Sequence, residues 1–265
     1  MSHVYWKERL YFILSLLITI GIYYGVIKMV INIRYSPELL ATYFILIFYI
    51  VLIVLYLFLS KIILIGHIQG NAVEISEKQF SEIYNVLKSQ CEKMKINKLP
   101  RMYLLQSGGA LNAFATRFVG RSYVVIYSDI MEKAFSDGED VVEFVIAHEL
   151  AHIKRRHILK RLLILPDNVI FLLTLAYSRA CEITCDNMAF ELSPKGAERG
   201  LILLSAGNKL FARVNLEEYV NEVRKEKTFV KWFSEILSTH PHISNRIVKI
   251  IRYKEEMNNP LNFKN

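Results

Sequence analysis

The chain has 265 residues, 53% of them hydrophobic, and a mean hydropathy of +0.26, which excludes an ordinary soluble domain of mixed composition. A formal net charge of +8, without aromatic–basic interleaving or a nucleic-acid motif, suits an anionic membrane surface, and no nucleic-acid partner is expected. Three cysteines, Cys91, Cys181 and Cys185, give no complete disulfide framework, so free thiols and a reducing compartment are expected.

The apolar excess sits in the first 70 residues. Residues 10–27 and 39–60 carry no charge. Each run is long enough to cross the hydrocarbon core at about 1.5 Å per residue, and tyrosines cluster in and near both as interfacial anchors would. A signal peptide fits the first run less well: no small-x-small cleavage site precedes Lys28, and a second run follows at once. Two transmembrane helices are predicted, at about 10–30 and 39–64. Residues 1–70 then form a membrane anchor, 71–255 one domain with its own core, and 256–265 a polar tail. Lys7, Arg9, Lys28, Arg34 and Lys61 barely choose an orientation, while the free thiols and basic domain favour the cytoplasmic side.

Beyond the anchor, a capping box of Ser76 and Gln79 predicts a helix that carries Phe80, Ile83, Tyr84, Leu87, Cys91 and Met94 at helical spacing. Residues 101–106 and 122–130 read as strands, with a turn at the glycines 108–109. A second capping box, Ser136 with Glu139, opens a helix whose apolar stripe is Val141, Val142, Val145, Ile146 and Leu150. Residues 162–177 are apolar but interrupted by Pro166, Asp167 and Asn168. They read as a kinked hairpin that packs on the domain or dips into the membrane face.

The helix that follows Ser136 carries His148, Glu149 and His152. Histidines four apart share a helix face and can hold one ion. Glu149, rotated by about 100°, stands beside that ion, where it can take a proton from water and return it to a leaving amine. Chance also produces such a triplet, but chance predicts no third ligand, which zinc requires. The candidate third ligand is Glu182, 30 residues after His152, with Asp186 one turn further on to accept a histidine N–H. A solvated acidic helix face is the plain alternative for that pair. The longer motif with glycine at 155 and histidine at 158 fails, because Arg155 and Ile158 stand there. His157, one position short, reads as a basic surface residue, and Cys181 and Cys185 read as packing.

With these residues the chain resembles the M48 family of membrane-associated zinc metallopeptidases, which includes HtpX-type proteases and CaaX-processing Ste24-type enzymes. The resemblance rests on LNAFATR (111–117), AHELAH (147–152), SRACEITCD (178–186) and THPHISNRI (239–247), in the family's order. It implies an α+β, mainly α, gluzincin-type fold with a small mixed sheet. It also implies that Asn112, Ala113 and Phe114 hold an extended polypeptide by strand addition, and that His240 or Arg246 stabilises an oxyanion. The short spacing from His152 to Glu182 marks a compact two-span member, without the further spans of either subgroup.

The expectation is a membrane-anchored zinc endopeptidase of a bacterial cell membrane. It would bind one Zn2+ per chain and cut membrane or membrane-proximal polypeptides, with the lipid bilayer as its other partner. The alternative is a zinc-binding membrane protein that holds clients without cutting them.

Overall fold

The computed structural model describes residues 4–32, 40–106, 108, 112–137, 139–207, 210–226 and 228–258. Each apolar run forms one long helix, α1 (Trp6–Asn32) and α2 (Leu40–Asn71). Both outrun the predicted spans. The 32 residues of α2 make about 48 Å of helix, against ~30 Å of hydrocarbon. The surplus enters the domain, where Ile65 and Ile68 are buried against Tyr103 and Val125. Most of the surplus of α1 lies at its start, where Glu8 is fully buried. Between these ends both helices expose apolar side chains over most of their surface, which suits lipid and not a soluble core.

A four-stranded sheet follows, built from β1 (Val73–Ile75), β2 (Arg101–Leu105), β3 (Ala113–Phe118) and β4 (Arg121–Tyr127) in the order β1-β2-β4-β3. β2 and β4 run parallel, and the outer pairs are antiparallel. The sheet is therefore small and mixed, as expected. Its period of two sorts the faces. Met102, Val124 and Ile126 join the helical core, whereas Tyr103, Leu105, Tyr123 and Val125 meet the end of α2. β3 is the edge strand beside β4, and its outer edge has no strand neighbour among the described residues.

The helices are α3 (Ser81–Lys93), α4 (Ser128–Asp137), α5 (Asp140–Lys154), α6 (His157–Leu163), α7 (Phe171–Leu192), α8 (Pro194–Ala206), α9 (Leu216–Lys225), α10 (Phe229–Ile236) and α11 (Ile243–Asn258). α5 is buried along most of its length and packs on α7 and α8. Close approach to α8 depends on Gly196, where an added Cβ would lie 1.8 Å from the Asp140 carbonyl oxygen. Gly200 does the same one turn on, against the Phe144 ring.

Four local expectations need correction, the first being the strand expected over 122–130, which ends at Tyr127 where α4 begins. Ser76 and Gln79 exchange backbone hydrogen bonds of 2.8 and 3.0 Å in a tight turn, and α3 starts only at Ser81, after Phe80 in a left-handed conformation. α5 starts at Asp140, whose own carboxylate accepts from the Val141 N–H, with Glu139 and not Ser136 at its N-cap. The side chain of Ser136, like residue 109 of the expected turn and residue 111 of LNAFATR, lies outside the described residues. The C-terminal helix α11 runs to Asn258, so the first residues of the expected tail are helical.

The interrupted run 162–177 becomes the end of α6, a 3-10 turn (Leu165–Ile170) and the start of α7. This elbow packs along α1, where Ile164 and Tyr177 meet Tyr11, Phe12 and Leu16. Asp167, Ser15 and Thr19 are buried in the same region.

Candidate metal centre

α5 and α7 face each other across the core and present their polar residues to one point. His148 and His152, one turn apart on α5, have ring centroids 5.1 Å apart. Glu182 on α7 reaches both. Its Oε2 is 3.3 Å from His148 Nε2 and its Oε1 is 3.4 Å from His152 Nε2. Two imidazole nitrogens and a carboxylate thus converge where the helices meet. Glu149 lines the same cavity of about 220 Å³, as do Asn112, Ala113 and Phe114.

Each histidine is backed at its other nitrogen. His148 Nδ1 lies 3.0 Å from Asp186 Oδ1, in a bent contact that is not a straight hydrogen bond. Asp186 is gripped by Arg246, whose Nε and Nη2 donate to the two carboxylate oxygens at 2.8 and 2.6 Å. His152 Nδ1 lies 3.0 Å from His157 Nδ1. His157 is not the surface residue read from the sequence, since it is 1% exposed. Arg156 takes a left-handed conformation, with φ of 56°, between α5 and α6. That break carries His157 back toward the α5 face; on an unbroken helix, five positions would rotate it by about 140° away from His152.

Cys181 packs with Ile164 and Tyr177, as expected. Cys185 does more than pack. Its Sγ lies 3.7 Å from His157 Nδ1 and within 4.8 Å of the donor nitrogens of His148 and His152. It does not line the cavity that Glu182 lines, and burial pushes its thiol well up, away from the thiolate that binds metals.

The electrostatics suit a cation. Burial works against charge on His148, yet the neighbouring carboxylates of Asp186 and Glu182 outweigh it and push the imidazole up to about 10. Burial also disfavours charge on Glu182, but hydrogen bonds from His148 and His152 hold it well below the usual carboxylate range. Three buried carboxylates, Glu149, Glu182 and Asp186, thus stand beside one buried guanidinium, Arg246. Nitrogen and carboxylate donors in this number fit zinc, with room on the cavity side for one more ligand.

The two oxyanion candidates, His240 and Arg246, both line the cavity. Arg246 is 8% exposed, and its fork is committed to Asp186. His240 stands at the cavity rim with Nε2 3.6 Å from Glu182 Oε1. Asn112 ties its carbonyl to the Tyr127 N–H at 3.0 Å, and its side-chain oxygen accepts from the Ala113 N–H at 2.9 Å. The pairing of Ala113 with Ile126 and of Phe114 with Val125 then leaves the other edge of β3 toward the cavity.

The chain matches the family described as Peptidase family M48 over residues 77–175 and 164–254. It is 36% identical over 104 residues to a protein named Protease HtpX homolog from Thermodesulfovibrio yellowstonii. That alignment covers 39% of this chain and spans only 34% of the relative's length. This chain also aligns with the crystal structure of S. mikatae Ste24p, with a TM-score of 0.46 at 14% identity, over 74% of this chain and 56% of that one.

Proposed function

The chain belongs to peptidase family M48, and from that membership we propose that it is a membrane-anchored zinc endopeptidase acting on membrane or membrane-proximal polypeptides. The observation that carries the reading is Glu182 lying between His148 Nε2 and His152 Nε2, with Glu149 on the same cavity wall. His148, His152 and Glu182 would hold one ion per chain. When bound, zinc supplies Lewis acidity toward water and a peptide carbonyl.

The remaining steps fall to the chain's own groups. A polypeptide lies extended along the open edge of β3, where backbone hydrogen bonds hold it without regard to sequence. Glu149 takes the proton from the attacking water and delivers it to the leaving amine. His240, the rim group that faces the reaction site, donates to the developing oxyanion. Arg246 acts one layer back by fixing Asp186 against His148. The test is cleavage of unfolded casein by the detergent-purified protein. Cleavage that disappears with a zinc chelator and returns with added zinc supports the reading; cleavage that persists in excess chelator overturns it.

The anchor sets where that chemistry happens. We read residues 1–70 as the anchor, with the domain on the cytoplasmic side of a bacterial membrane, and the elbow after α6 as a further membrane contact. The elbow packs on Tyr11, Phe12 and Leu16 of α1, and its outward side chains Leu162, Leu163, Val169, Ile170 and Phe171 are exposed and apolar. An environment-sensitive dye on Val169→Cys is expected to emit as in hydrocarbon and to be quenched by lipids brominated on their acyl chains. The native cysteines are buried and leave this site selective. Water-like emission, untouched by the bromolipids, would place the elbow in solvent.

A further inference from the structure

The two metal-facing histidines are backed in different ways. His148 is backed by Asp186, from the helix that also carries Glu182. His152 is backed by His157, and beyond His157 stands Glu8 of α1. His157 Nε2 is 3.3 Å from Glu8 Oε1, and the two side chains are almost wholly buried, His157 at 1% and Glu8 at 0% exposure. A membrane helix therefore reaches, through one imidazole, a residue of the candidate metal centre.

We propose that α1 completes the metal centre: Glu8 is a positioning residue that acts through His157 to fix the tautomer and ring orientation of His152. The proposal rests on reading His152 as a metal ligand.

With His157 neutral, the donors and acceptors along the line admit one arrangement. Glu8 Oε1 accepts from Arg155 Nη2 at 2.8 Å and from Lys160 Nζ at 3.1 Å, so two cations hold it as a carboxylate. A carboxylate only accepts hydrogen bonds. The imidazole nitrogen that faces it, His157 Nε2, therefore carries the proton, and His157 Nδ1 is left as an acceptor. The contact to Glu8 is bent, so its charge and not a linear bond selects this tautomer. The nitrogen opposite His157 Nδ1, His152 Nδ1, must then be the donor. His152 Nε2 is left unprotonated on the side where Glu182 lies at 3.4 Å. That lone pair is what a metal needs, and outer partners of this kind set ligand orientation and basicity. The same deduction made from Asp186 puts the proton of a neutral His148 on Nδ1 and frees its Nε2 as well.

Two other roles for the cluster fit less well. Glu8, His157 and Cys181 are close enough to hold an ion of their own. The crowding of Glu8 by Arg155 and Lys160 opposes a further cation there. A plain salt-bridge anchor would act through those two cations alone and would leave His157 without a purpose. The two roles separate experimentally.

The experiment compares the full-length protein in detergent with Glu8→Gln, His157→Gln and Lys160→Met. Zinc affinity is read by chelator competition, the visible spectrum of the cobalt-substituted protein reports ligand geometry, and the melting temperature reports folding. Glu8→Gln and His157→Gln are expected to lose ~10–100-fold in zinc affinity and to shift the cobalt spectrum. Lys160→Met, in which Arg155 still holds Glu8, is expected to keep both near wild type. If Glu8→Gln does not fold, His157→Gln carries the comparison. Wild-type affinity and spectrum in both Glu8→Gln and His157→Gln would overturn the proposal. An equal loss in Lys160→Met would also overturn it, because it would show a salt-bridge anchor. Zinc absent from the wild type would overturn the ligand reading of His152 and this proposal with it, whereas zinc present there and unchanged in the variants overturns the relay alone.

Discussion

Glu149→Gln is expected to keep about one zinc per chain and to lose ~100-fold to 10,000-fold in cleavage rate. The carboxylate follows His148 directly on α5 and faces the cavity, while the close donor contacts join His148, His152 and Glu182. Its amide keeps the shape and volume of a side chain that is 7% exposed, so α5 should pack unchanged. What disappears is the basic oxygen that accepts the proton. The loss should therefore fall on kcat with KM little changed, the pattern of a group needed in the transition state and not for binding. Single-turnover cleavage alongside metal analysis checks this. An active Glu149→Gln protein would remove the general-base assignment, and an inactive one without zinc would move Glu149 into the ligand set.

The second large effect concerns the third ligand, for which the structure offers two neighbours of the histidine pair. Glu182→Ala is expected to lose zinc and cleavage together, whereas Cys185→Ser is expected to keep both. Glu182 lies within 3.4 Å of each metal-facing nitrogen and on the cavity wall. Cys185 approaches the same histidines from behind, fully buried, with its thiol held protonated by burial. Removal of Glu182 leaves the two imidazoles without a carboxylate on the cavity side, and affinity from two neutral donors is too weak to survive purification. Metal content of the two variants decides. Zinc lost from Cys185→Ser and kept in Glu182→Ala would invert the assignment.

The parts of this architecture that were legible in the sequence are those written in local periodicity. Charge-free runs marked α1 and α2, and the spacing of His148 and His152 put both on one face of α5. Glu182 and Asp186, one turn apart on α7, emerged by the same logic. What stayed hidden depends on reversals of the chain and on contacts between distant segments. His157 looked superficial because a left-handed Arg156 breaks the helix that its spacing assumed. Glu8 is separated from Arg155 by 147 positions, and nothing in the first turns of an apolar helix announces a buried carboxylate. β3 was recognised only as a family motif, since Ala113–Phe118 does not alternate and its role as an edge follows from pairing with β4. The expected Ser76 capping box failed because a tight turn met the same backbone donors before a helix could.

The measurement that tests the account most directly is zinc content and casein cleavage on one fresh preparation of the detergent-purified protein, beside Glu182→Ala prepared identically. The account predicts about one zinc per wild-type chain, cleavage that tracks it, and loss of both in the variant. Wild-type protein that contains no zinc and still cleaves, or a variant that keeps both, would contradict it.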